Sequence, residues 1–188
     1  MNEIIPDIFL RGCRDIAHIK PNRMKEAFVP SKHVRPDGYY DISTNHHDKG
    51  NEAIRILARD KDNACGGVIY GKASNLLAPL QNIRVSSFGD KPHLPEISDK
   101  LLTDVIHFED PDRDQILVVE GNPYHWSLLF SPLLTVNPER PESMNQALLR
   151  AIANKMVQGA NLHVIDRDTL DLLLSDPEFD PHIEYMAK

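Results

Sequence analysis

The stretch from Pro36 to Asp48 most constrains how this chain folds. It opens with the turn signal Pro-Asp-Gly and continues with an aromatic and β-branched run, Tyr-Tyr-Asp-Ile, which predicts a short strand. The strand leads into the polar group Ser43–Asn45, and the amphipathic segment Lys49–Arg59 predicts a helix after it. Two interpretations of the polar group stay open. Its side chains cap the strand and the helix, or they offer a rigid set of hydrogen bonds to a ligand.

Apolar runs on both sides of this stretch predict further short strands. Four consecutive apolar residues, Ile116 to Val119, are typical of a strand buried on both faces, and we expect the next run to pair with it as a hairpin. The predicted strands are Ile4–Gly12, Gly66–Lys72, Ile83–Phe88, Gln115–Glu120, His125–Leu134 and Leu162–Ile165. Helices are predicted over Asp99–Ile106, Pro141–Gln158 and from Asp166 or Asp168 to Leu174. This mixture predicts an α+β fold with small, mostly antiparallel sheets and flanking helices.

Length and composition are those of a single globular domain covering residues 1–188. Of the 188 residues, 41% are hydrophobic and 26% are charged. No apolar run reaches membrane-spanning length, and the first residues lack the regions of a cleavable signal peptide. Cys13 and Cys65 form neither a disulfide framework nor a zinc spacing. We expect a cytoplasmic protein, or one delivered into another cell without a cleavable signal.

Charge is divided unevenly between the two halves of the chain. The formal net charge is −7, yet basic residues outnumber acidic ones up to Leu94, so the acidic excess follows that residue. The C-terminal half therefore repels nucleic acids and membranes, whereas the N-terminal half accepts an anionic ligand. The segment His107–Asp114 is predicted to be a solvated acidic turn that carries Glu109, Asp110, Asp112 and Asp114.

The sequence lacks the motifs of several enzyme classes. It has no Walker loop, no GxGxxG, no HExxH, no GxSxG and no CxxC. His46 and His47 are adjacent, and adjacent side chains on a strand point to opposite faces, so we expect no metal site there.

The order of four segments resembles a known family. An early strand ends in an arginine, an aromatic-x-x-Ser-Thr step follows, then a helix, and then a Val-Ile-Tyr strand. These segments are Ile8–Arg11, Tyr40–Asn45, Asn51–Arg59 and Gly67–Asn75. In this order they resemble the bacterial toxin ADP-ribosyltransferases of the cholera and pertussis type, the Arg-Ser-Glu class. The resemblance implies an NAD-binding core over residues 1–122 and a C-terminal extension, residues 123–188, packed on it.

The resemblance also implies roles for individual residues. Arg11 would hold the phosphate or ribose of NAD through a forked hydrogen bond. Ser43 would brace the pocket and orient the catalytic glutamate, and one of the two tyrosines, Tyr39 or Tyr40, would stack on the nicotinamide ring. The residues implied for cofactor binding are Arg11, Gly12, Tyr39, Tyr40, Ser43 and Thr44.

The glutamate of this class has two candidates in the chain. It must stabilise the positive charge that develops on the ribose as nicotinamide leaves. Glu96 follows a loop and is preferred, and Glu120 ends the predicted buried strand. Leu94 stands where the family usually has an additional Glu or Gln that serves the acceptor, so the sequence departs from the family there.

Two functions follow from these observations. The first is an effector- or toxin-like ADP-ribosyltransferase that consumes NAD, needs no metal and modifies a protein or a nucleic acid. The second is a non-enzymatic inhibitor or immunity protein that presents its acidic C-terminal half, including Glu109, to a basic partner. The enzyme requires Arg11, Ser43 and one glutamate to converge in one cleft.

Overall fold

In the described part of the chain, six antiparallel strands form one sheet. The structure, a computed structural model, describes residues 6–30, 35–46, 51–88, 97–109, 124–135 and 142–181. The strands are β1 (Ile8–Cys13), β2 (Tyr40–His46), β3 (Gly67–Lys72), β4 (Ile106–Glu109), β5 (His125–Phe130) and β6 (His163–Ile165). They are arranged in the order β4-β5-β2-β1-β3-β6, and every neighbouring pair is antiparallel. The predicted α+β class is therefore confirmed.

Helices flank the sheet. The α-helices are α1 (Glu52–Arg59), α2 (Ala73–Leu77), α3 (Pro132–Thr135), α4 (Glu142–Gly159) and α5 (Arg167–Ser175). Short 3-10 helices occur at Ile16–Ile19, Met24–Phe28, Ala78–Leu80, Val85–Ser87 and Leu102–Asp104. Asp166 caps α5, because its carboxylate accepts a 2.8 Å hydrogen bond from the Thr169 amide. No helix among the described residues is long and apolar enough to cross a membrane.

The larger hydrophobic cluster covers one face of the sheet, which we call the core face. Phe9 of β1, Ile42 of β2 and Leu128 of β5 are at most 1% exposed and point to this side. Buried side chains of α4, among them Leu149 and Ile152, belong to the same cluster. The long helix α4 therefore packs on the core face together with the 3-10 helix Met24–Phe28.

Among the described residues, a smaller cluster lies on the opposite face and covers the half formed by β1, β3 and β6. Leu10 of β1 and Val68 of β3 pack there against Ile54 of α1 and Leu170 of α5. Strands β2, β5 and β4 carry mainly polar side chains on this face, because their apolar residues alternate towards the core face. The sheet therefore presents a polar half next to an apolar half on one side.

β5 pairs with β4 on one edge and with β2 on the other. The strand Gln115–Glu120, which is predicted to form a hairpin with the strand after it, lies outside the described part of the chain. Both β5 and β6 belong to the same sheet as β1, and residues after 123 thus supply strands to that sheet.

Two predicted elements differ in the structure. The strand expected over Ile83–Phe88 is a 3-10 helix at Val85–Ser87, with one isolated bridge from Arg84 to Leu101. The helix expected over Asp99–Ile106 is a 3-10 turn that leads directly into β4. The reason is tertiary, because Val85 and Leu102 are buried in the larger cluster whatever their local preference.

Gly67, the first residue of β3, offers a test of the β3–β6 pairing. Its φ is +126°, and a Cβ atom there would lie 2.7 Å from the Ile165 carbonyl oxygen. We expect Gly67→Ala to lower the free energy of unfolding by about 1–3 kcal/mol, because it adds backbone strain and a clash with the main chain. Urea denaturation measures this loss.

Gly71, on the same strand, is the matched control. Its Cβ would first meet the flexible end of the Leu162 side chain, at 3.1 Å. Gly71→Ala should therefore cost less than Gly67→Ala. Equal losses would contradict the close β3–β6 approach at Gly67.

The two cysteines should differ in reactivity. Cys13 is buried and burial raises the pKa of its thiol to about 11, whereas Cys65 is exposed. Because the thiolate is the reactive form, a thiol-exchange reagent at pH 8 should modify one cysteine in the folded protein and two in urea. Mass spectrometry should place the first modification on Cys65. Rapid labelling of both in the folded state would contradict the burial of Cys13.

Candidate functional site

The Arg11 side chain donates hydrogen bonds to main-chain carbonyl oxygens. It shares the core face with Phe9 and Cys13, its alternate neighbours on β1. Its Nη1 donates a 2.7 Å hydrogen bond to the Ser43 carbonyl oxygen, and its Nε donates a 3.2 Å bond to the Ala27 carbonyl oxygen. Burial lowers the pKa of the guanidinium from its usual value. The side chain therefore connects β2 to the 3-10 helix Met24–Phe28.

Ser43 meets Arg11 through its main chain only. It lies between Ile42 and Thr44 on β2, and Ile42 points into the larger cluster. The Ser43 side chain therefore lies on the opposite face, where it is exposed. The structure brings Arg11 to the backbone of Ser43, but the guanidinium and the hydroxyl are on different sides of the sheet.

Two further residues predicted to bind the cofactor, Thr44 and Gly12, make contacts within the protein instead. Thr44 is buried, and its hydroxyl donates a 3.1 Å hydrogen bond to the Trp126 carbonyl oxygen. Gly12 lies against the turn before β3, so a Cβ atom at this position would come within 2.8 Å of the Asn63 carbonyl oxygen. The missing side chain of Gly12 thus permits a close backbone approach.

The two tyrosines lie in different surroundings. Tyr40 pairs with Phe130 across β2 and β5 and packs against the larger cluster. Tyr39 contacts His107 edge to face, with 6.2 Å between the ring centres. His107 is directly opposite Leu129, which is in turn opposite Asp41, and Tyr39 therefore lies beside the polar half of the sheet.

Both predicted catalytic glutamates lie outside the described residues. Glu96 falls in the gap at 89–96, and Glu120 falls in the gap at 110–123. Three acids of the predicted acidic turn, Asp110, Asp112 and Asp114, are in the second gap as well.

The polar half of the second face brings together side chains from three adjacent strands. We call this set the polar face. Its members are Asp41, Ser43 and Asn45 of β2, His125 and Ser127 of β5, and His107 and Glu109 of β4. Three of them, Asn45, His125 and Ser127, are at most 5% exposed, so this is a partly enclosed surface.

One row of the polar face contains a carboxylate and two hydroxyls. Glu109 is directly opposite Ser127, and Ser127 is directly opposite Ser43. Directly opposed residues of antiparallel strands point to the same face, so Glu109 and Ser43 are on one side, about 10 Å apart at their Cα atoms. The Ser43 hydroxyl has no hydrogen-bond partner among the described residues, whereas the Ser127 hydroxyl lies 3.4 Å from a carboxylate oxygen of Asp41.

The position of Glu109 differs from the one predicted from the sequence. The acids that follow Glu109 favour a solvated turn, whereas the residue lies on β4. The alternation of apolar Ile106 and Phe108 with polar His107 and Glu109 has the period of a half-buried strand. That four-residue pattern is the signal that would have placed Glu109 on β4.

Arg35 forms an ion pair with the Glu109 carboxylate. Its side chain is 3% exposed, and its guanidinium lies 2.8 Å from Asp37 and 3.4 Å from Glu109. The predicted Pro-Asp-Gly turn is confirmed, since the Gly38 amide bonds the Arg35 carbonyl oxygen at 2.9 Å and φ of Gly38 is +87°. The turn before β2 thus places the buried guanidinium of Arg35 next to the end of β4.

The polar face has the groups for acid–base and electrostatic chemistry. It offers a carboxylate held by an arginine, a free serine hydroxyl and an aromatic ring at its margin. Among the described residues, no group of three or more His, Cys, Asp and Glu side chains could hold a metal ion.

The hydrogen bonds of Arg11 predict its contribution to stability. Arg11→Met should lower the free energy of unfolding by about 2–4 kcal/mol, because it leaves the carbonyl oxygens of Ala27 and Ser43 without this donor. Arg14→Met is the control. It removes an exposed bond to Asn63 and should stay within about 0.5 kcal/mol of the wild type. Equal urea midpoints for the two variants would show that Arg11 is not a structural tie.

Known proteins give no match to this chain. No protein-family model matches it, and no curated protein or solved structure is significantly similar to it.

Proposed function

We propose that this protein is an effector- or toxin-like ADP-ribosyltransferase that consumes NAD on its polar face and modifies a macromolecule. The observation that carries the proposal is the row Glu109–Ser127–Ser43, which aligns a carboxylate with the serine of the Ser-Thr step on one side of three adjacent strands. Glu109 takes the role that the sequence suggested for Glu96 or Glu120.

The reaction assigns a distinct task to the carboxylate. The bond between the ribose C1′ and the nicotinamide nitrogen breaks, and its electron pair leaves with nicotinamide. Positive charge then develops on the ribose, and Glu109 stabilises it by accepting a hydrogen bond from a ribose hydroxyl. A nucleophile of the acceptor forms the new bond to C1′ and loses its proton.

Neighbouring groups support this role. The buried guanidinium of Arg35 lies 3.4 Å from the Glu109 carboxylate, so the two charges attract each other at the end of β4. The Ser43 hydroxyl, which has no hydrogen-bond partner in the described part of the chain, is available to the ribose or to Glu109. Tyr39, beside His107, offers a ring for the nicotinamide to stack on.

Arg11 has a different role in this proposal from the one the resemblance implied. Its guanidinium binds two main-chain oxygens on the core face, away from the hydroxyl of Ser43. It would therefore act by fixing the backbone of β2, on which Ser43 stands. NAD would be held by groups of the polar face.

The alternative of an acidic binding protein has less support. It relied on Glu109 as part of an exposed acidic surface, but Glu109 faces the buried guanidinium of Arg35 at 3.4 Å. A carboxylate engaged in this way is less available to a basic partner.

Substitution of Glu109 tests the proposed reaction. Glu109→Gln should reduce release of nicotinamide from NAD by about 100- to 1000-fold while NAD affinity changes only a few-fold, because the carboxylate acts on charge that develops in the transition state. Nicotinamide release is followed by chromatography and NAD binding by calorimetry. Circular dichroism checks the fold, because the variant leaves Arg35 with Asp37 as its remaining carboxylate.

Matched variants make the result decisive. Glu52→Gln removes an exposed carboxylate of α1, which pairs with Arg59, and should keep full activity. Glu96→Gln and Glu120→Gln should also stay active. Loss of activity in either of these, with Glu109→Gln active, would overturn the assignment of Glu109. The proposed function itself is overturned if the wild type neither binds NAD nor releases nicotinamide when protein and nucleic-acid acceptors are supplied.

A further inference from the structure

A pocket of about 560 Å³ opens on the side of the core face. His18, Lys25, Glu26 and Val29 line it from the segment between β1 and β2, and Arg150 lines it from α4. Arg150 follows Leu149, which is fully buried, so packing of α4 fixes the position of this arginine along the pocket wall. Residues far apart in the chain thus form one concave surface.

The charges that line this pocket are unbalanced. Glu26 is engaged by Arg23, whose Nε and Nη2 donate bonds of 3.0 and 2.6 Å to the two carboxylate oxygens. In the part of the chain that the structure describes, Lys25 and Arg150 have no ion pair. Lys25 and Arg150 therefore add positive charge to a cavity whose lining carboxylate, Glu26, is already bonded to Arg23.

We propose that this pocket binds a small phosphomonoester with a hydroxylated body, that is, a sugar phosphate or a nucleotide. A guanidinium supplies a fork that matches phosphate oxygens, and an ammonium supplies a compact charge beside it. Glu26 retains acceptor capacity for a sugar hydroxyl, and Val29 offers an apolar wall. The volume lies within the usual range of small-molecule sites.

This site is distinct from the polar face. Met24, Ala27 and Phe28, on the same 3-10 helix as Lys25 and Glu26, pack into the larger cluster on the core face. The Ser43–Glu109 row points to the other side of the sheet. Binding in the pocket therefore does not depend on the proposed reaction with NAD, and it can be tested without NAD.

Calorimetry on the full chain at low ionic strength tests the proposal with three probes: ribose 5-phosphate, adenosine monophosphate and ribose. At least one phosphomonoester should bind one-to-one, and ribose should not. Preference between the two phosphomonoesters distinguishes a sugar-phosphate site from a nucleotide site. Lys25→Gln and Arg150→Gln should each weaken binding about tenfold, because each removes a charge-assisted contact.

Lys155→Gln is the matched control, since Lys155 is an exposed cation on α4 that does not line the pocket. It should bind like the wild type. Absence of saturable binding by both phosphomonoesters would overturn the proposal. So would undiminished affinity in a folded variant that carries both Lys25→Gln and Arg150→Gln.

Discussion

The hydrogen bonds of Arg11 determine how the two sides of this protein are arranged. In the β1–β2 pairing, Phe9 is opposite His46 and Leu10 is opposite Asn45. Next to these pairs, the Arg11 side chain donates a hydrogen bond to the Ser43 carbonyl oxygen. Its second bond, to Ala27, holds the 3-10 helix that carries Lys25 on the core face. Strand alternation places this guanidinium on the core face and the Ser43 hydroxyl, next to Ile42, on the opposite face.

The sequence predicts what depends on local pattern. Strands β1, β2 and β3 and helices α1, α4 and α5 were expected near their observed positions, because periodicity and capping residues are local signals. The partners of β5 depend on contacts across the whole chain and were not predictable in this way. The same applies to the site, since sequence order suggested that Arg11 and Ser43 share a cleft, whereas strand alternation separates their side chains.

Arg11 and Arg35 show how the same side chain acquires different roles. Arg11 binds neutral carbonyl oxygens, so burial of its charge is not offset by an anion and its pKa falls. Arg35 is buried between the carboxylates of Asp37 and Glu109. Leaving a buried guanidinium without a carboxylate destabilises the folded protein, so the ion pair of Arg35 with Glu109 favours the observed approach of the turn before β2 to the end of β4. Sequence alone does not distinguish these two arginines, because their partners are distant in the chain.

The sheet separates two surfaces whose described side chains differ in charge. The polar face carries the carboxylates of Asp41 and Glu109, which favour a centre that becomes positive. The pocket beside α4 carries Lys25 and Arg150, which favour an anion. The positions of these two surfaces on opposite sides of the sheet therefore support two separate ligands, with the phosphomonoester bound away from the groups that act on NAD.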